Sequence, residues 1–135
     1  AAHLLWSLMR AADPGRSIAW FEQLMRQAAR VAINRTIAGV HFPVDSAAGQ
    51  FLGLTLGEYL VLRATGGGQF SPWEFVGAGF LATDDFDWRR LYTFSPPTPP
   101  TRAATAFAKT IAPNGSSAGS ALLHWLWQRA LLEWS

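Results

Sequence analysis

Asn34-Arg35-Thr36-Ile37-Ala38-Gly39-Val40-His41-Phe42-Pro43-Val44-Asp45 is the stretch on which the reading of this chain turns. Upstream, Ile18, Phe21, Leu24, Met25, Ala28, Val31 and Ala32 recur at helical spacing, opposite Glu22, Gln23, Arg26, Gln27 and Arg30. Ser17 is a suitable N-cap, and Glu22 with Arg26 is a favourable i,i+4 pair. Downstream, Pro43 marks a break and Asp45 or Ser46 can cap a further helix to about Arg63. The quoted stretch is therefore predicted as a turn between two helices. It offers three chemically distinct groups: a planar guanidinium fork at Arg35, an imidazole at His41 and a carboxylate at Asp45. A guanidinium matches phosphate oxygens. An imidazole can attack phosphorus or bind a metal centre through one nitrogen, while a carboxylate on the other nitrogen fixes the tautomer.

Working outward, Ala1 to Ala12 carries Leu4, Leu5, Leu8 and Met9 at helical spacing and ends at Asp13-Pro14-Gly15. In the third helix Gly49, Gly53 and Gly57 fall every four residues, which predicts a flat ridge for close helix approach. Gly66-Gly67-Gly68 ends this unit, and lacking a following Lys-Ser/Thr it reads as a linker rather than a phosphate loop. An irregular aromatic segment follows, then Pro96-Pro97-Thr98-Pro99-Pro100 as an extended surface connector. A short helix is expected from Thr101 to Ile111, ended by Pro113-Asn114-Gly115. A last helix opening at Ser116 or Ser117 is apolar on nearly all sides, pointing to burial or to docking on another subunit in a homo-oligomer. The expectation is an all-α helical bundle in two parts, a motif-bearing core over 1–65 and an aromatic extension over 66–135.

Composition narrows the function. Half of the 135 residues are hydrophobic and 15% are charged, which fits a packed domain. Eleven Lys plus Arg against nine Asp plus Glu is too even a balance for a committed nucleic-acid binder, and Lys109 is the sole lysine. Zero cysteines exclude disulfides, thiolate metal sites and cysteine nucleophiles. No signal peptide is visible, and no apolar run reaches the roughly 18 residues of a membrane span. The expectation is a soluble chain of unassigned compartment. His3 and His124 sit in apolar helices without an acid at i±4 and read as packing histidines. Asp84, Asp85 and Asp87 lack the glycine and distal glutamate of a calcium loop and read as a solvated turn.

The central stretch resembles the third signature of the type 2 phosphatidic acid phosphatase and vanadium haloperoxidase superfamily: Ser-Arg, five residues, His, three residues, Asp. Arg35, His41 and Asp45 match that spacing; Gly39, Pro43 and Ala47-Ala48-Gly49 also fall at familiar places, while Asn34 replaces the usual serine. The resemblance covers about Ser17 to Leu62. It implies a helical fold of that superfamily, incomplete here. It implies His41 as the nucleophile that becomes phosphohistidine, Asp45 as the acid that orients it, and Arg35 with His41 as the phosphate-binding pair. The substrate would be a phosphomonoester or diphosphate, with no metal or other cofactor. The alternative within the superfamily is a haloperoxidase, in which His41 ligates vanadate and Arg35 neutralises its oxygens. A third reading is a non-catalytic helical subunit.

Two signatures of the superfamily are absent: a lysine followed seven residues later by Arg-Pro, and Pro-Ser-Gly-His. Pro113-Asn114-Gly115-Ser116 imitates the latter but lacks the histidine. The resemblance thus implies the C-terminal part of a larger enzyme, with the missing groups supplied by an upstream segment or a second chain. His3 is then expected beside the missing leaving-group acid rather than in its place.

Overall fold

The computed structural model describes residues 1–113 and 115–134. Four α-helices occupy Ala2–Ala12 (α1), Ser17–Ile37 (α2), Pro43–Ala64 (α3) and Ala121–Trp134 (α4). Between α3 and α4 lie six short strands: Gly67–Gln69 (β1), Trp73–Phe75 (β2), Tyr92–Ser95 (β3), Thr98–Arg102 (β4), Ala108–Thr110 (β5) and Ser116–Ala118 (β6). They pair antiparallel in three two-stranded sheets: β1 with β6, β2 with β5, and β3 with β4.

The all-α expectation is therefore overturned. The chain is mixed, 59% helix and 16% strand. The helix expected from Thr101 to Ile111 is replaced by the end of β4, a loop and β5. The proline connector is a hairpin: Pro96 and Pro97, joined by a cis peptide, make its turn, and Pro99 and Pro100 lie within β4. Prolines are tolerated there because a two-stranded ribbon has only edge strands. Ser116 and Ser117 belong to β6, and α4 begins at Ala121. Asn114 of the expected Pro113-Asn114-Gly115 stop lies outside the described residues.

Glycine explains the first sheet. Gly67, with φ +88°, pairs with Ala118, and a side chain there would meet the Ser117 carbonyl oxygen at 2.3 Å. The triplet expected as a linker thus admits β6 at a distance that only glycine allows.

The boundaries of α1, α2 and α3 were legible, with small shifts. Ser17 is the first residue of α2 rather than its cap. Pro43 opens α3 instead of breaking it, as suits a residue with a fixed helical φ and no donor at the first position. On α2 the predicted apolar face is split: Phe21 and Met25 are buried, whereas Val31 is 58% exposed.

One apolar cluster joins the helices to the strand region. Phe21, 1% exposed, sits with its ring centroid 4.9 Å from Trp6 and 4.8 Å from Tyr92, both edge-on. Phe51 meets Trp73 and Phe107 edge-on, and Trp88 and Leu91 belong to the same cluster. The segment after Gly66 is thus packed into the core of the segment before it. Helix α1 packs along both α2 and α3 more extensively than those two pack on each other. A groove is left between α2 and α3 as a result. By contrast, α4 buries no residue fully, and Leu122, Trp125 and Leu126 are exposed on it.

Candidate active site

The corner between α2 and α3 is built by backbone rules. Ala38 N–H donates to the Asn34 carbonyl (3.0 Å), Gly39 N–H to Thr36 (2.9 Å) and Val40 N–H to Arg35 (3.1 Å). The last two bonds are the paired signature of a Schellman stop, which needs a left-handed residue at Gly39; its φ is +74°. The chain then turns through Val40–Phe42 and enters α3 at Pro43. Asp45, in the first turn of α3, accepts a hydrogen bond from Phe42 N–H at 3.0 Å, so its carboxylate caps the helix. The same Asp45 Oδ2 lies 3.5 Å from His41 Nδ1. One carboxylate oxygen therefore serves both the helix start and the imidazole, leaving Nε2 as the ring nitrogen for a ligand.

Arg35, His41 and Asp45 line one cavity of about 400 Å3 between α2 and α3. Both helical sides carry small residues, Ala28 and Ala32 on α2 and Gly49 and Gly53 on α3, alongside Met25, Val31 and Leu54. An added Cβ at Gly49 or Gly53 would meet nothing within 4 Å, so their part of the predicted glycine ridge faces open space. Gly57 alone serves close packing, with a Cβ there reaching His3 Cβ at 3.2 Å. Phe86 and Trp88, from the segment after α3, also line the cavity. Trp88 is tied to α3 by its carbonyl oxygen, which accepts from Gln50 Nε2 at 3.2 Å. That contribution was not legible in the sequence, where the aromatic segment carried no periodic signal.

His3 lines the same cavity, but at a different level. It packs on Gly57, twelve residues beyond Asp45, or about 18 Å along the axis of α3. That separation keeps it from serving as a proton donor beside His41 in this arrangement. Its environment is nonetheless unusual. Nδ1 is buried without a hydrogen-bond partner. Burial, followed by the positive charges of Arg10 and Arg102, lowers its pKa from 6.5 to about 4. The fold therefore favours neutral His3, and stability present above pH 6.5 is lost as pH falls towards 4. The wild-type chain should lose on the order of 3 kcal/mol over that window. A His3→Gln variant should lose markedly less in denaturant titrations at the two pH values. Equal losses would show that His3 protonates freely.

The remaining sequence candidates fall elsewhere. His124 Nδ1 is 2.9 Å from the Ala64 carbonyl oxygen, a packing contact between α4 and α3. Asp84 pairs with Arg90 at 3.2 Å and accepts from Leu81 N–H, and Asp87 accepts from Arg89 N–H. Among the described residues, no group of three or more His, Asp and Glu side chains is arranged to hold a metal ion. An oxyanion asks for a different set, donors rather than carboxylates. Arg35 and His41 are the cavity residues that could hold phosphate or vanadate, and among the described lining residues Arg35 is the one guanidinium. No helix among the described residues is long and apolar enough to cross a membrane.

No protein-family model, curated protein or solved structure matches the chain.

Proposed function

We propose that this chain carries the nucleophilic part of a phosphatase-type hydrolase acting on a phosphomonoester or diphosphate through a phosphohistidine at His41. The observation that supports the reading most is the meeting of Arg35, His41 and Asp45 on one cavity, with Asp45 on His41 Nδ1. With Nδ1 occupied, Nε2 attacks phosphorus; the new N–P bond forms as the P–O ester bond breaks, and the leaving oxygen takes a proton. Water then attacks the phosphohistidine, releasing phosphate and returning the lone pair to Nε2. Asp45 stabilises the imidazolium character that develops on the ring. Arg35 binds phosphoryl oxygens through its fork.

A transferring phosphoryl group spreads charge over three oxygens, and one guanidinium is a thin complement for it. Further donors and a leaving-group acid would come from a segment or second chain bearing the Lys/Arg-Pro and Pro-Ser-Gly-His signatures.

The test is covalent trapping on the 135-residue chain. After incubation with a 32P-labelled aryl phosphate and alkaline quenching, label should remain on the protein in base, be lost in acid, and map to His41. Label at another residue, or none with the chain complemented by those signatures, would sink the reading.

A further inference from the structure

The charged corner occupies one end of the cavity, and what lies beside it has a definite size and chemistry. Gln50, whose amide holds the Trp88 carbonyl, is five residues beyond Asp45, or about 7.5 Å along α3. Ala29, which lines the cavity on α2, is six residues before Arg35, or about 9 Å. Phe86 and Trp88 line the cavity where Gln50 holds the Trp88 carbonyl, a level of α3 set off from Asp45 by about the length of one aromatic ring. Between the two levels Ala32 and Gly49 line the cavity with short or missing side chains, and Ala28 and Gly53 continue that lining just beyond them. The Gln50 amide, directed at the Trp88 carbonyl, is engaged within the wall. A volume of about 400 Å3 lies near the lower end for small-molecule sites and is small for a two-chain lipid.

Resting on the phosphoryl-transfer reading above, we propose that the slot between α2 and α3 binds the leaving group of the substrate, and that this group is a compact aryl alcohol. Phe86 and Trp88 act as specificity-determining residues. The ring lies against the glycine-alanine slot with its oxygen towards His41, and offset or edge contacts to Phe86 and Trp88 select it over a polar or one-carbon group. A second feature agrees with this choice. The titratable side chains lining the cavity are His3, Arg35, His41 and Asp45. His3 packs on Gly57, about 18 Å along α3 from Asp45, and Asp45 is engaged with Phe42 N–H and His41. Aryl oxygen leaves as a phenolate, the oxygen leaving group that depends least on a proton donor.

The experiment compares two non-hydrolysable probes, phenylphosphonate and methylphosphonate, by calorimetric titration of the 135-residue chain. Phenylphosphonate should bind at least tenfold more tightly. That ratio should collapse to within about twofold in Trp88→Leu and in Gly49→Leu. The second variant adds its side chain to open space on α3 and so keeps the test informative if Trp88→Leu fails to fold. Equal affinities for the two probes in the wild-type chain would overturn the aryl subsite while leaving phosphoryl binding in place. A tenfold preference that survives Gly49→Leu would also overturn it, because the ring would lie elsewhere. Binding of neither probe to the 135-residue chain would overturn this proposal, while the phosphoryl reading is decided separately by trapping on the complemented chain.

Discussion

Replacing His41 by alanine removes covalent labelling and weakens vanadate binding by roughly 10³-fold or more, because the ring nitrogen assigned to bond phosphorus or vanadium is gone. Vanadate serves here as a mimic of the phosphoryl transition state, followed by 51V nuclear magnetic resonance line broadening. Asp45→Asn is the sharper companion. The Asp45 carboxylate has two tasks, accepting Phe42 N–H at 3.0 Å and facing His41 Nδ1 at 3.5 Å. Asparagine keeps a carbonyl oxygen for the cap and surrenders the charge that supports the imidazolium. The fold should therefore survive and labelling should slow. A buried acid in such a pair controls about 10⁴ in rate. Asp45 is half-exposed and its contact with His41 is long, so about 10² is the expected loss. Asp45→Ala, which also removes the cap, should cost about 1 kcal/mol of stability in addition. Vanadate bound equally well by wild type and His41→Ala would exclude His41 as the nucleophile.

The corner was legible because its constraints are local. A left-handed glycine at Gly39, a proline able to open a helix at Pro43, and an acid three residues past the capping position are all short-range rules. Arg35, His41 and Asp45 are brought together within eleven residues of chain. The strand region obeys the opposite logic. Gly67 pairs with Ala118 and Trp73 with Thr110, across long stretches of chain, in strands of three residues each. Three residues are too few to display alternation, so Ala108–Thr110 read as part of a helix and Ser116–Ala118 as a helix start. The cavity shows both regimes at once. Its chemical end is local, but its aromatic wall arrives from Phe86 and Trp88, fixed by a Gln50 contact no sequence pattern announces. His3 was expected as a packing histidine beside the missing acid, and its burial in the cavity depends on Gly57, which leaves room for the ring.

Arg102→Leu should destabilise the chain by about 3 kcal/mol, at the low end for breaking a buried ion pair since both partners retain some solvent contact. Arg102 ties β4 to α3: it pairs with Glu58, donates to the Ser71 carbonyl, and stands 4.6 Å from the centre of the Trp73 ring. Trp73 Nε1 in turn donates to Glu58 at 3.1 Å. Burial raises the Glu58 pKa, while Arg102 and the Trp73 hydrogen bond pull it down. Without Arg102 the burial effect is less opposed, so the carboxyl in the variant titrates higher still. A raised acid favours the fold below its unfolded pKa and loses that contribution as pH rises through its folded one. The deficit relative to wild type should accordingly be larger at pH 7.5 than at pH 4.5. Arg102 also helps to hold His3 neutral, and relief of that repulsion narrows the gap at low pH in the same direction. Adding Glu58→Gln to Arg102→Leu should recover part of the loss at pH 7.5, since the amide keeps an acceptor for Trp73 without a charge to strand. A deficit independent of pH, with no recovery in the double variant, would mean that Arg102 acts through its packing on Trp73 and not through Glu58.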